Sequence, residues 1–265
     1  MKLWRQRQTS NPQPHIPSSL QDYILIEVPD QYTNAADGGQ FTVYKDWIDQ
    51  DQTEPMVIFM SKWGFEILSN HETWLFDGTF ESAPEPFSQI YIGMAASEIG
   101  GKGIPCIYGL LPNKKSSTYE TMFKKVKELV GQESKLTTII TDFEKSVFGA
   151  CRRVFPTINH KGCRFHHNAA VWRKLGELGL QSLFHQNALF QETLYKLYAL
   201  CHVPEAEVLN FYQKVILPTV EEGLHGDQDW MDVAEKLEEF GFYYENTWIR
   251  RRGGREVPSQ RLEPL

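Results

Sequence analysis

The sequence predicts an α/β fold, a mixed sheet flanked by helices and followed by a region that is helical throughout. Three observations carry this. Three strand candidates around Thr73–Glu81, Gln89–Ala96 and Ile104–Leu111 are joined by short Pro- and Gly-rich links, the pattern of an antiparallel meander. A β-branched run, Leu136–Thr141, ends in Asp142 and passes directly into a helical pattern, which is the start of a crossover to a parallel neighbour. Beyond Leu178 the apolar residues recur only at helical spacing.

In chain order, residues 1–54 are rich in Gln, Pro, Ser and Asn and read as a poorly ordered lead-in. Met56–Met60 is a buried-strand candidate, and Ser61 is placed to cap a short helix presenting Trp63, Ile67 and Leu68. Ser117 and Glu120 have capping-box spacing, ahead of Tyr119, Met122, Phe123, Val126, Leu129 and Val130 on one helical face, with Gly131 as the stop. After Asp142, the residues Val147, Phe148, Cys151, Val154 and Phe155 form another apolar face up to Pro156. A short strand ends near Phe165, and a helix with Ala170, Val171 and Leu175 inside follows. Further helices are expected over Asn187–Leu200, Pro204–Leu217 and Trp230–Phe240. The domain reading is a core over 55–180, a helical insertion over 181–249 and a basic, disordered tail over 250–265.

At 265 residues and 41% hydrophobic content, the chain can bury a sizeable core. It has no apolar run long enough to span a membrane, and M-K-L-W-R-Q-R-Q-T-S lacks the apolar core of a signal peptide, so a cytosolic or nuclear setting is expected. Four irregularly spaced cysteines, without a C-x-x-C pair, point to reduced thiols. The formal net charge is −7, but its distribution is uneven. Ser146–Gly176 contains no acid while carrying Arg152, Arg153, Lys161, Arg164, Arg173 and Lys174, whereas Pro204–Glu245 is strongly acidic. The basic stretch reads as a solvated mixed surface or as a face for a polyanion such as nucleic acid, and charge alone favours the former.

The chemistry-bearing candidates are few. In T-W-L-F-D-G-T-F-E, an apolar run delivers Asp77 next to Gly78. Two readings stand open: a carboxylate in a sheet that a metal ion satisfies, or an Asp-Gly hairpin turn. Asp142 likewise reads as a metal ligand at a strand's carboxyl end or as a helix N-cap. If the two strands are neighbours, two like charges meet and call for a counter-ion. Mg²⁺ is the natural choice for carboxylate oxygens, with Mn²⁺ as its substitute. Two such ions, about 3.5–4 Å apart, can activate a nucleophile and stabilise a leaving oxygen at a phosphodiester. Cys163 and His166 have C-x-x-H spacing, but no second pair completes a closed zinc site. His160 and His167 are candidates to face a phosphate.

Taken together, D-G-T-F at Asp77, I-I-T-D-F-E-K-S around Asp142 and G-C-R-F-H-H at Cys163–His166 resemble the transposase domain of Mutator-like elements, the MULE domain, over about Pro55–Ile249. That group uses an Asp, Asp, Glu triad. The resemblance implies a ribonuclease H-like mixed sheet of five strands, the first three antiparallel, flanked by helices and followed by an all-helical insertion. It implies that Asp77 and Asp142 are the first two catalytic, metal-binding acids and that Cys163 and His166 lie near the active centre. It further implies Mg²⁺ or Mn²⁺ as cofactor, DNA (transposon ends and target) as partner, a nuclear location and a possible homo-oligomer, with Lys161, Arg164, Arg173 and Lys174 as possible DNA contacts.

The resemblance also implies a third acid, a Glu on a helix that packs back onto the sheet after Tyr243–Ile249. The sequence that follows, R-R-R-G-G-R-E-V-P-S-Q-R-L-E-P-L, has no helical periodicity, and Glu256 and Glu263 sit among Gly253, Gly254 and Pro258. Glu245 precedes the expected place and reads as structural. The expectation is therefore a transposase-derived chain cut or decayed before its third acid, with strand cleavage impaired. The alternative is a non-catalytic remnant or domesticated protein that binds nucleic acid or a partner.

Overall fold

A computed structural model describes residues 19, 33–35, 38–96, 103–131, 134–249 and 262–263. It divides into two compact units. The first comprises Met1–Thr137 and Gly149–Pro156, and the second Thr138–Phe148 and Thr157–Leu265.

In the first unit, five strands pair antiparallel in the order β1-β2-β5-β4-β3: β1 (Thr42–Trp47), β2 (Pro55–Met60), β3 (Thr73–Thr79), β4 (Gln89–Ala96) and β5 (Gly103–Leu111). The meander expected from the sequence is therefore present in β3, β4 and β5. β1 lies within the stretch read as lead-in. None of its residues is fully buried and it carries Lys45 and Asp46, so it lacked the apolar pattern that marks an inner strand.

Strand alternation explains the core. Trp74 and Phe76 on β3 and Tyr91 on β4 point to one face, where they meet Tyr119 and Phe123 of helix α2 (Ser116–Val130) and Phe155. Ring centroids there lie 5.1–6.5 Å apart, the range for edge-to-face and offset contacts. Helix α1 (Lys62–Asn70) begins as expected, with Ser61 Oγ accepting from the Gly64 N–H at 3.0 Å. Gly64 is required for close approach, because a Cβ there would lie 2.5 Å from the Cys106 carbonyl oxygen of β5.

The capping box at Ser117 and Glu120 does not form. Helix α2 starts two residues earlier than that box requires, with Lys115 rather than Ser117 at the N-cap and no side-chain cap. Glu120 is then too far into the helix to reach back, and it binds Lys124 at 2.8 Å and Arg153 at 2.7 Å instead.

The second unit opens with β6 (Thr138–Thr141), which pairs parallel with β7 (Asn159–Cys163), as the crossover argument required. The connecting helix α3 (Lys145–Val154) has its first residues in this unit and the rest in the first. Of the tail, only Leu262–Glu263 is described, as a two-residue strand β8 parallel to β7; the rest of 250–265 lies outside the described residues, as does most of 1–40. Helix α4 (Arg164–Glu177) leads into a helical region made of α5 (Gln181–Gln186), α6 (Ala188–Ala199), α7 (Glu205–Phe211), α8 (Leu217–Gly226), α9 (Gln228–Met231) and α10 (Ala234–Tyr244). Two π-helical stretches, Tyr212–Ile216 and Glu245–Ile249, interrupt it. Its core gathers Val171, Leu175, Phe190, Leu194, Trp230 and Phe240.

Candidate functional site

Asp77 belongs to the first unit and Asp142 to the second. On β3, Asp77 is paired in register with Ile92 and Gly78 with Tyr91, so both lie inside a strand. The hairpin-turn reading is thereby removed. Alternation puts Asp77 on the face opposite the aromatic cluster, in line with Leu75 and Thr79, and its side chain is exposed. Its Oδ1 accepts from the Gly78 N–H at 2.9 Å. Exposure corrects one premise. A carboxylate in contact with water needs no counter-ion to be tolerated, so the desolvation argument for a metal at Asp77 falls away. What remains is a carboxylate held on a fixed strand and presented outward.

Asp142 follows directly on β6. Because Thr141 is in register with Gly162, Asp142 and Cys163 occupy equivalent places at the carboxyl ends of two parallel strands, where sites in such sheets concentrate. Asp142 is half-buried, and its Oδ1 accepts from the Glu144 N–H at 3.3 Å. This is a turn contact two residues on; the helix starts only at Lys145, so Asp142 does not cap it in the ordinary sense. Phe143 lies flat over Gly162, where a Cβ would come within 2.1 Å of its ring. Glu144 binds the Ser146 hydroxyl.

Cys163 is the N-cap residue of α4, and His166 is in the first turn beyond it. Burial raises the Cys163 thiol pKa. The hydrogen bond from the His166 side chain and the N–H groups of His166 and Phe165 outweigh it, leaving the thiol below its ordinary value. These two residues are brought together as the spacing suggested.

The histidines offered for phosphate contact are otherwise engaged. His160 stacks on Phe148 at 4.0 Å, and its Nε2 lies 2.9 Å from Thr141 Oγ1. Thr141 donates to the Asp142 carbonyl at 2.9 Å, so the His160 Nε2 is the donor to Thr141. His167 is fully buried. It lies 2.9 Å from Asn168 Oδ1, 3.2 Å from the Tyr244 hydroxyl and edge-on to Trp248. It is a core histidine whose pKa burial pushes down, which favours the neutral ring. Trp248, which sequence reasoning left unassigned, also packs on Phe143 at 4.8 Å. No short-range signal marked it, because its partners are 81 to 105 positions away in the chain.

Of the basic residues, Arg173 is exposed, and Lys161 and Arg164 are half-buried. Lys174 is bound to Glu239 at 2.9 Å and lies 3.8 Å from Glu177, so its charge is met within the unit. Glu245 accepts from the Tyr212 hydroxyl at 3.4 Å, in line with a structural role. Among the described residues, no three His, Cys, Asp or Glu side chains are grouped so as to hold a metal ion. A closed cage of the kind structural zinc takes is not what these residues offer. One or two carboxylate oxygens, with water or phosphate completing the shell, fit the habits of Mg²⁺.

Strands of both directions with helices around them, Asp77 within β3 and Asp142 directly after β6, make an α/β protein compatible with the ribonuclease H-like class. The family comparison is more specific. Residues 73–170 match the model of the MULE transposase domain, a segment that contains Asp77, Asp142, Cys163 and His166. Over this segment the chain is similar to the transposase domain of the Mutator-like class. No curated protein matches the chain.

Proposed function

We propose that Asp77 and Asp142 are divalent-metal carboxylates of a Mutator-like transposase domain whose reaction is metal-dependent DNA strand cleavage and strand transfer. The observation that supports it best is the exposed Asp77 carboxylate on a register-fixed strand, inside the segment matched by the family model. Asp142, at a parallel strand's carboxyl end, supplies the second hard oxygen donor. Mg²⁺ or Mn²⁺, when bound, would make water or a hydroxyl nucleophilic and stabilise the leaving oxygen of a phosphodiester. The protein's own part is to hold Asp77 within β3 and Asp142 at the end of β6 and to bind DNA, with Arg173, Lys161 and Arg164 as the proposed phosphate contacts. The reading carries with it a nuclear location and, for joining two ends, assembly with a second copy. A non-catalytic DNA-binding or interaction protein is the second reading.

The test is a calorimetric titration of the full chain with Mg²⁺ and Mn²⁺, with nicking of a labelled duplex followed in the same samples. Metal binding and nicking that both fall in Asp77→Asn and Asp142→Asn are the expected outcome. Metal binding without nicking would favour the second reading. Binding unchanged by either variant would overturn the ligand assignment.

A further inference from the structure

The helical region of the second unit contains an apolar cavity of about 520 Å³, walled by α6, α8, α10 and the π-helical stretch Tyr212–Ile216, with Trp230 in its lining. That volume is within the range of about 300–1,000 Å³ usual for sites that take a ligand. The polar atoms of its wall are already used. Thr193 donates to the Leu189 carbonyl at 2.8 Å, Tyr244 to the Leu197 carbonyl at 3.2 Å, and Tyr212 to Glu245 at 3.4 Å. The wall therefore has little with which to orient a polar small molecule, and apolar side chains are what suit it.

The rim is different in kind. Glu235 and Glu238, three residues apart on α10 and so on one helical face, line the mouth and are exposed. Neither is in an ion pair among the described residues. Beside them Phe242 is 71% exposed, an apolar surface of the sort that marks an interaction site when it borders a cavity. The whole stretch Pro204–Glu245 is acidic, with only Lys214 and Lys236 against it. π-Helical turns, which here border the cavity, occur mostly at functional sites.

We infer that this groove docks a basic amphipathic helix of a partner protein, whose apolar face fills the cavity while its Lys or Arg residues meet Glu235 and Glu238. Apolar anchors at i, i+3, i+4 and i+7 are the recurring way a helix occupies such a groove. The acidic rim selects a cationic helix over a neutral or acidic one.

A direct test uses the full chain and a fluorescein-labelled peptide of roughly 18 residues, long enough to be helical, with Leu at those anchor spacings and Lys elsewhere. Binding is read by anisotropy. Two control peptides replace Lys by Glu or scramble the same composition. Gly241, in the cavity wall, offers a blocking variant: a Cβ there has nothing within 4 Å, so Gly241→Leu enters open space, and replacing a mid-helix glycine favours folding. The Leu–Lys peptide is expected to bind at least about tenfold more tightly than either control, a difference of about 1.4 kcal/mol. Gly241→Leu, and separately Glu235→Lys with Glu238→Lys, are expected to weaken it by at least the same factor without lowering the melting temperature. No peptide binding, equal binding of the scrambled or Leu–Glu peptide, or indifference to Gly241→Leu would each overturn the inference. So would an apolar dye that occupies the groove without competing with the peptide.

Discussion

The first unit packs Trp74, Phe76, Tyr91, Tyr119, Phe123 and Phe155 ring against ring on one side of an antiparallel sheet, while the helical part of the second leaves about 520 Å³ open beside Trp230. The two tryptophans are equally buried, at 1% exposure. Their surroundings differ. The Trp74 indole N–H donates to the Leu68 carbonyl at 2.8 Å, within a shell of rings and sheet; the Trp230 N–H donates to Asn187 at 3.1 Å from the edge of a cavity. Burial by itself therefore does not say how much a residue stabilises. A sheet face fixes side chains on a rigid backbone grid, whereas short helices joined by π-helical turns can leave room that a partner could fill.

Substitution at these two positions separates the units most strongly. Trp74→Ala should cost about 3–5 kcal/mol by chemical denaturation, and Trp230→Ala should fall at or below the lower end of that range, because it enlarges space that is already open. A larger cost at Trp230 would show that the cavity closes in solution. A middle-sized contrast concerns caps. Asn187 caps α6 through the Phe190 N–H, holds the Trp230 N–H and donates to Asp227 and Asp229, whereas Ser61 only caps α1. Asn187→Ala should therefore exceed about 2 kcal/mol, and Ser61→Ala should stay near 1 kcal/mol. Equal losses would mean that the Asn187 network adds nothing beyond a cap.

The smallest expected effect is one of pH. His167 is held neutral by burial, with its folded pKa below 6.5. The unfolded chain takes up the proton first, so the stabilisation is fully present above about pH 6.5 and is lost as pH falls through the folded value. Melting curves from pH 7.5 to 5 should show a fall that His167→Gln reduces. Hydrogen exchange at α4 and α10, whose Tyr244 touches His167, should report it, and exchange in β3 and β4 should not.

Periodicity made much of this legible beforehand. Met56–Met60, Gln89–Ala96 and Ile104–Leu111 are strands within a residue of the expected ends, and Ser61 caps its helix as its position required. These follow from patterns a few residues long, which the backbone obeys locally. The capping box failed because a two-residue shift in the start of α2, from Ser117 to Lys115 as N-cap, left Glu120 bound to Lys124 and Arg153 instead of the backbone it was expected to bond.

The sequence by itself determined the two candidate acids, the C-x-x-H pair and the acidic character of the helical region, because each is written in contiguous residues. Only the tertiary structure decided that Asp77 lies within a strand and faces water, that His167 belongs to a core with Tyr244 and Trp248, that Lys174 spends its charge on Glu239, and that a cavity opens beneath Glu235 and Glu238. These depend on contacts between residues tens of positions apart. No local periodicity encodes such contacts, because they form only once the chain has closed on itself.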